Sequence, residues 1–134
     1  MKEPRWVHRL VVEAVHLDQL REHGGLPGLR DENALEASLA RARQKWTYEP
    51  KSDLSMLAAA YAFGICTSHP FNDGNKRSAF LAAAIFLGLN GKELDASETD
   101  VVQVMVALAA GSLTETQMAS WLGDHVRRST FKAP

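Results

Sequence analysis

The chain has 134 residues, of which 46% are hydrophobic and 23% charged, and its formal net charge is −1. That length and composition fit one globular domain, residues 1–134, with its own core. The near-zero charge argues against a nucleic-acid binder, whose surface is usually basic, and no apolar run is long enough for a membrane span.

Cys66 is the single cysteine, so no internal disulfide can form. It sits in an apolar run and is expected as a buried core thiol. The first ten residues carry no apolar signal-peptide core, so a cytoplasmic setting is expected.

In chain order, Arg5 to Leu20 places Val7, Leu10, Val11, Ala14, Val15 and Leu17 at helical spacing. Gly24-Gly25 ends this helix and Pro27-Gly28 makes a turn. Asp31 can cap a second helix from Glu32 to about Gln44, with Leu35, Leu39 and Ala42 inward. Trp46 to Pro50 breaks the pattern, and Thr47 and Tyr48 are expected in a short extended flap. Ser52 or Asp53 can cap a third helix to about Ser68, apolar on almost every side and therefore buried. Lys76 to Leu89 reads the same way and closes at Asn90-Gly91. Ser97-Glu98-Thr99-Asp100 and Thr114-Glu115-Thr116-Gln117 read as capping boxes ahead of two further helices. The β-branched run Val101–Val106 is assigned to the first of these because of its length and its cap. The fold class is all-α, with two central buried helices wrapped by amphipathic ones.

Between the two apolar helices lies His69-Pro70-Phe71-Asn72-Asp73-Gly74-Asn75-Lys76-Arg77. A helix N-terminus carries unpaired N–H groups and partial positive charge. Gly74 lets an anion approach the backbone. Lys76 and Arg77 in the first turn oppose the helix dipole, a cost that a bound phosphate would offset. Asp73 is either a plain N-cap or, beside a phosphate, a ligand for Mg²⁺. His69 stands four residues upstream, and histidine titrates near neutrality, which suits removing a proton from an attacking hydroxyl. Pro70 disfavours helix at His69 and ends the preceding helix. Phe71 is expected to plug the core. Together these parts fit phosphoryl transfer.

His69 to Arg77 resembles the signature of the Fic/Doc superfamily, His-Pro-Phe-x-x-Gly-Asn-Gly-Arg in typical Fic proteins. Gly24-Gly25-Leu26-Pro27-Gly28-Leu29-Arg30-Asp31 with Leu35-Glu36 resembles the segment preceding the flap in death-on-curing (Doc) toxins. Lys76 replaces the Fic glycine, and Phe80 stands where many Fic proteins carry a second arginine. Doc toxins have Asn-Lys-Arg, as here, but alanine at the position of Gly74. The resemblance implies a helical Fic/Doc domain and a protein kinase that moves the γ-phosphate of ATP to a hydroxyl. In Doc that acceptor is a threonine of elongation factor Tu. It implies His69 as general base, Asp73 on Mg²⁺, Gly74 and Asn75 as phosphate donors, and Lys76 and Arg77 neutralising charge. Adenylyl transfer of the Fic type is the alternative, and a catalytically idle binding module is a second.

No Ser or Thr is followed four residues later by Glu, so the autoinhibitory helix pattern of many Fic proteins is absent from the sequence. The resemblance therefore implies a partner for restraint: a Phd-like antitoxin whose disordered C-terminal segment folds into a groove on the toxin. The flap at Trp46–Pro50 is a candidate for holding the target as an added strand, with Trp46 more simply an edge-of-core aromatic. His8 and His16, two turns apart, are expected at the surface or its boundary. His23 and His125 have no evident partner. Arg127-Arg128 reads as a solvated end, and Arg41, Arg43 and Lys45 as a solvated helix face.

Overall fold

The computed structural model describes residues 1–130. Six helices run α1 Arg9–His23, α2 Glu32–Tyr48, α3 Leu54–Ser68, α4 Asn75–Leu89, α5 Glu98–Ala110 and α6 Glu115–His125. Two short strands, β1 Lys92–Leu94 and β2 Val126–Arg128, pair antiparallel with Leu94 opposite Val126. The architecture is all-α with this one small β-ribbon. Among the described residues no helix is long and apolar enough to cross a membrane.

Local sequence sets most of the boundaries. The side chains of Asp31, Asp53, Ser97 and Thr114 each accept a hydrogen bond from the first turn of the helix they open. Thr114 and Gln117 complete a reciprocal capping box, whereas at Ser97 only the half-bond from Asp100 N–H is made. Helix α1 starts at Arg9, not Arg5, because His8 Nδ1 accepts from Leu10 N–H and serves as the cap. His8 is thus a capping residue, not an idle surface one.

The expected flap is corrected. Thr47 and Tyr48 are the last residues of α2, held there by Thr47 Oγ1 donating to Arg43 O and by Glu49 N–H to Lys45 O. Trp46 packs partly buried at the core edge, with its ring 6.1 Å from Trp6 in a T-shaped pair. The extended structure lies elsewhere: Arg127-Arg128 is solvent-exposed as expected but forms β2, where Arg127 pairs across the ribbon with Glu93 at 2.6 Å. Four alternating residues or fewer per strand give too short a pattern to register against the helical signals around them.

Helix α3 is the centre of the fold. It packs against α2, α4, α5 and α6. Leu57, Ala58, Ala59, Ala60, Tyr61, Ala62, Ile65 and Cys66 are all fully buried. Small residues set its spacing: a Cβ on Gly64 would stand 3.1 Å from Ser38 Cα, so glycine is what lets α2 and α3 approach so closely. Burial pushes the Cys66 thiol up, with Lys76 acting weakly against it. Helix α4 departs from the expectation of all-round burial. Ala79, Ala82, Ala83, Phe86 and Leu87 face the core, but Phe80, Leu81 and Ile85 line an open groove shared with α1, α5 and β1.

The buried Tyr61 hydroxyl accepts from Val7 N–H at 3.0 Å and anchors the N-terminal arm. Tyr61→Phe leaves that donor unpaired, at a cost of about 1–3 kcal/mol. Urea unfolding should show the lower midpoint with an unchanged slope; an unchanged midpoint would mean that water replaces the hydroxyl.

Candidate active site

The nine-residue motif is the turn between α3 and α4. His69 caps α3 in the left-handed region, φ 50° and ψ 61°, the one non-glycine residue at positive φ among those described. Such a conformation costs about 1–3 kcal/mol unless its surroundings impose it. Arg30 imposes it: Nε donates to His69 O at 2.6 Å and an Nη to Ser68 O at 2.7 Å. The guanidinium also sits at the negative end of α3. The His69 side chain is exposed and makes no hydrogen bond among the described residues.

The segment Leu26–Asp31 lies antiparallel along the motif. Arg30 N–H and Asp31 N–H both donate to Pro70 O, and Asn72 N–H donates to Gly28 O. Leu29 pairs with Phe71 in an isolated bridge, and Asn72 Nδ2 donates to Pro27 O at 2.9 Å. Asp73 Oδ2 accepts from Leu26 N–H at 2.6 Å. Asp73 is therefore not the N-cap of α4; it ties the glycine-rich loop to the motif. Its other oxygen takes no protein donor among the described residues.

Asn75 closes the turn from inside. Its Oδ1 accepts from Phe71 N–H at 3.0 Å and its Nδ2 donates to Phe71 O at 2.9 Å. Both side-chain amide atoms are thereby tied to the Phe71 backbone, and the backbone N–H of Asn75 faces the start of α4 without a protein acceptor among the described residues. Phe71 is 2% exposed and its ring stacks on His16, centroids 3.7 Å apart and planes 9° apart. His16 Nε2–H donates to Asp73 O at 2.8 Å. His16 is thus buried in the site, where the sequence placed it at the surface or its boundary.

Helix α4 opens on Gly74, φ 78°, with no side-chain cap. The other five helices each have one. Lys76 and Arg77 are exposed in this first turn. Lys76 has no hydrogen bond or ion pair among the described residues. Arg77 donates to His23 Nε2, and His23 lies 3.6 Å from Glu22, so His23 does have partners. Gly74, Asn75, Lys76 and Arg77 form one end of the groove beside α4, whose volume is about 1020 Å³. His125 is distant from all this: its Nδ1–H donates to Trp121 O and its ring stacks on Trp121.

The Fic/DOC family profile matches residues 6–87, which hold the motif, the clasping segment, α1 to α3 and most of α4. The chain belongs to the Fic/DOC family. It is also similar to a curated relative, "Protein kinase doc" of Escherichia phage P1, at 33% identity over 109 residues. That match covers 81% of this chain and 86% of the relative.

Within this Fic/DOC site, the structure brings Asp73, Gly74, Asn75, Lys76 and Arg77 to one helix start, with His69 on the turn leading into it. The chemistry-bearing side chains left open are His69 and Lys76, with one Asp73 oxygen. No group of three or more His, Cys, Asp or Glu among the described residues is arranged to hold a metal by itself. Asp73 fits the one-carboxylate share of a Mg²⁺ site whose remaining ligands are phosphate oxygens and water. Sequence reasoning missed Arg30, His16 and Gln19. Arg30 lies in the Gly-rich segment already marked by its resemblance to Doc, but its role depends on a contact 39 residues away.

Asn75→Ala removes both bonds to the Phe71 peptide and should cost about 1–3 kcal/mol. Asn75→Asp keeps the bond from Phe71 N–H but sets a carboxylate oxygen against Phe71 O, so it should be no milder. Chemical denaturation of the two variants checks this order; a fully stable Asn75→Asp protein would contradict the clasp.

Proposed function

We propose that the chain is a Doc-type toxin of a toxin–antitoxin pair. On this reading it transfers the γ-phosphoryl group of ATP to a hydroxyl of a protein. The observation that carries the reading is the start of α4: an uncapped helix N-terminus bearing the unpaired Lys76 and the exposed Arg77, with His69 held open one turn earlier. Free N–H groups, the helix dipole and two cations converge where a terminal phosphate would rest.

Each residue then has a task. His69 takes the proton from the acceptor hydroxyl as its oxygen attacks the γ-phosphorus, and the bond from that phosphorus to the bridging oxygen breaks to release ADP. The N–H groups of Asn75 and its neighbours hold phosphate oxygens. Lys76 and Arg77 stabilise the negative charge on the transferred group. Mg²⁺, when bound with the nucleotide, neutralises phosphate charge, and Asp73 is the carboxylate that would hold it. The resemblance to Doc suggests a threonine of elongation factor Tu as the acceptor. Phe80 lines the groove one turn beyond Lys76, where an arginine of the Fic pattern would add a third cation. Its apolar ring favours phosphoryl over adenylyl transfer. The apolar length of that groove, including the half-exposed Val102 and Val106, suits the folding segment of a Phd-like antitoxin.

Incubation with elongation factor Tu and ATP labelled at the γ- or the α-phosphate tests the reading. Label should move from the γ-position alone, and His69→Ala should slow it by about 10²–10⁴-fold. Transfer of α-label would replace the kinase with an adenylyltransferase. Growth arrest undiminished in His69→Ala would favour an idle binding module instead.

A further inference from the structure

The two carbonyl groups just ahead of α4 are both held from α1. His16 Nε2–H donates to Asp73 O at 2.8 Å, and Gln19 Nε2 donates to Gly74 O at 3.5 Å. The two residues are three apart, so they share one face of the helix. Both are polar side chains inside the protein, only 4% and 5% exposed. Neither is needed for the stability of α1 itself, whose backbone bonds are internal to the helix.

Gln19 also fills space. A Cβ built on Gly74 would stand 1.9 Å from Gln19 Nε2 and 3.1 Å from its Cδ. The same residue has φ +78°, which L side chains rarely adopt. The amide of Gln19 thus occupies the volume that a side chain at position 74 requires.

We propose that His16 and Gln19 are positioning residues of the transfer site, setting from α1 the peptide units that aim the first N–H groups of α4. A trans peptide is planar, so fixing a carbonyl fixes the opposed N–H of the next residue. His16 therefore orients Gly74 N–H, and Gln19 reinforces the orientation of Asn75 N–H that the Ser78 N–H bond to Gly74 O at 3.0 Å begins. Glycine at 74 follows from its partnership with Gln19 and from its backbone conformation, and does not specify which group of the nucleotide is transferred. For its activity readout the inference rests on the phosphoryl-transfer reading; its structural readout does not.

His16→Phe keeps a ring against Phe71 and removes the donor, whereas His16→Gln removes the ring and offers an amide donor. The Phe variant should fold, with an unchanged far-UV spectrum, yet lose about 10–100-fold in kcat, the usual cost of losing a supporting hydrogen bond behind a reacting group. KM for ATP should change much less, and amide hydrogen exchange at Asn72 and Ser78, the bonded N–H groups on either side of the two peptide units, should quicken. The Gln variant should recover part of kcat. Gly74→Ala should lower kcat by itself, and adding Gln19→Ala should restore part of it, a non-additive pair. Transfer should remain from the γ-phosphate throughout.

Unchanged exchange and kcat in His16→Phe would overturn the positioning role. Additive losses at Gln19 and Gly74, or α-label transfer by Gly74→Ala, would overturn the partnership. If the wild-type protein transfers no label at all, the phosphoryl-transfer reading fails. Hydrogen exchange and the melting-temperature cycle for Gln19 and Gly74 then still decide for or against the α1 pair.

Discussion

The peptide unit and ring of Phe71 are restrained from four directions. Asn75 holds its N–H and C=O, His16 lies flat against its ring, Leu29 pairs with its backbone, and the core excludes it from water. These partners come from α4, α1 and the segment between α1 and α2. Phe71 is therefore where three otherwise separate pieces of chain are fixed relative to one another. The strained His69 lies two residues before it and the tethered Asp73 two residues after. Their positions are accurate only because the residue between them cannot move.

The motif divides its residues between holding and acting. Pro70, Phe71 and the Asn75 side chain are committed to the turn. Asp73 is half committed, through Leu26. The side chains of His69 and Lys76 have no hydrogen-bond partner among the described residues. A supporting shell that satisfies its own polar groups leaves the reacting groups free and still placed. Arg30 belongs to that shell: it stabilises a left-handed histidine by bonding to the carbonyl on each side of the bend. The backbone energy stored at His69 is thus offset 39 residues away, on a loop that the motif's own backbone holds in place.

Helix caps were legible in the sequence because they are local. Asp31, Asp53 and Thr114 act within three residues, and each does what its residue type suggests. The central position of α3 was legible from its lack of any polar face. The same signal misled for α4, because an apolar surface looks identical in sequence whether it meets the core or lines a groove. Thr47 and Tyr48 carried β propensity, but the hydrogen bonds of the last turn of α2, to Arg43 O and Lys45 O, continue the helix through them. The motif's chemistry was readable from residue types at close spacing. Its scaffold was not: His16 meets Asp73 across 57 positions, and nothing local distinguishes it from the capping His8.

The start of α4 is the one helix N-terminus among the described residues without a side-chain cap. Its cap is glycine, which gives up roughly a few tenths of a kcal/mol against a capping side chain. The first turn places Lys76 and Arg77 against the dipole, each unfavourable by about 0.3–1 kcal/mol. The residue that precedes it, Gly74, is in a left-handed conformation. The helix nonetheless forms, because Ala79, Ala82, Ala83, Phe86 and Leu87 bury their side chains completely or nearly so. Burying even two such large side chains contributes about 3–6 kcal/mol, enough to outweigh the local deficits. The packing of the lower turns thus permits an N-terminus that is electrostatically unfinished, and an anion is the kind of ligand that completes it.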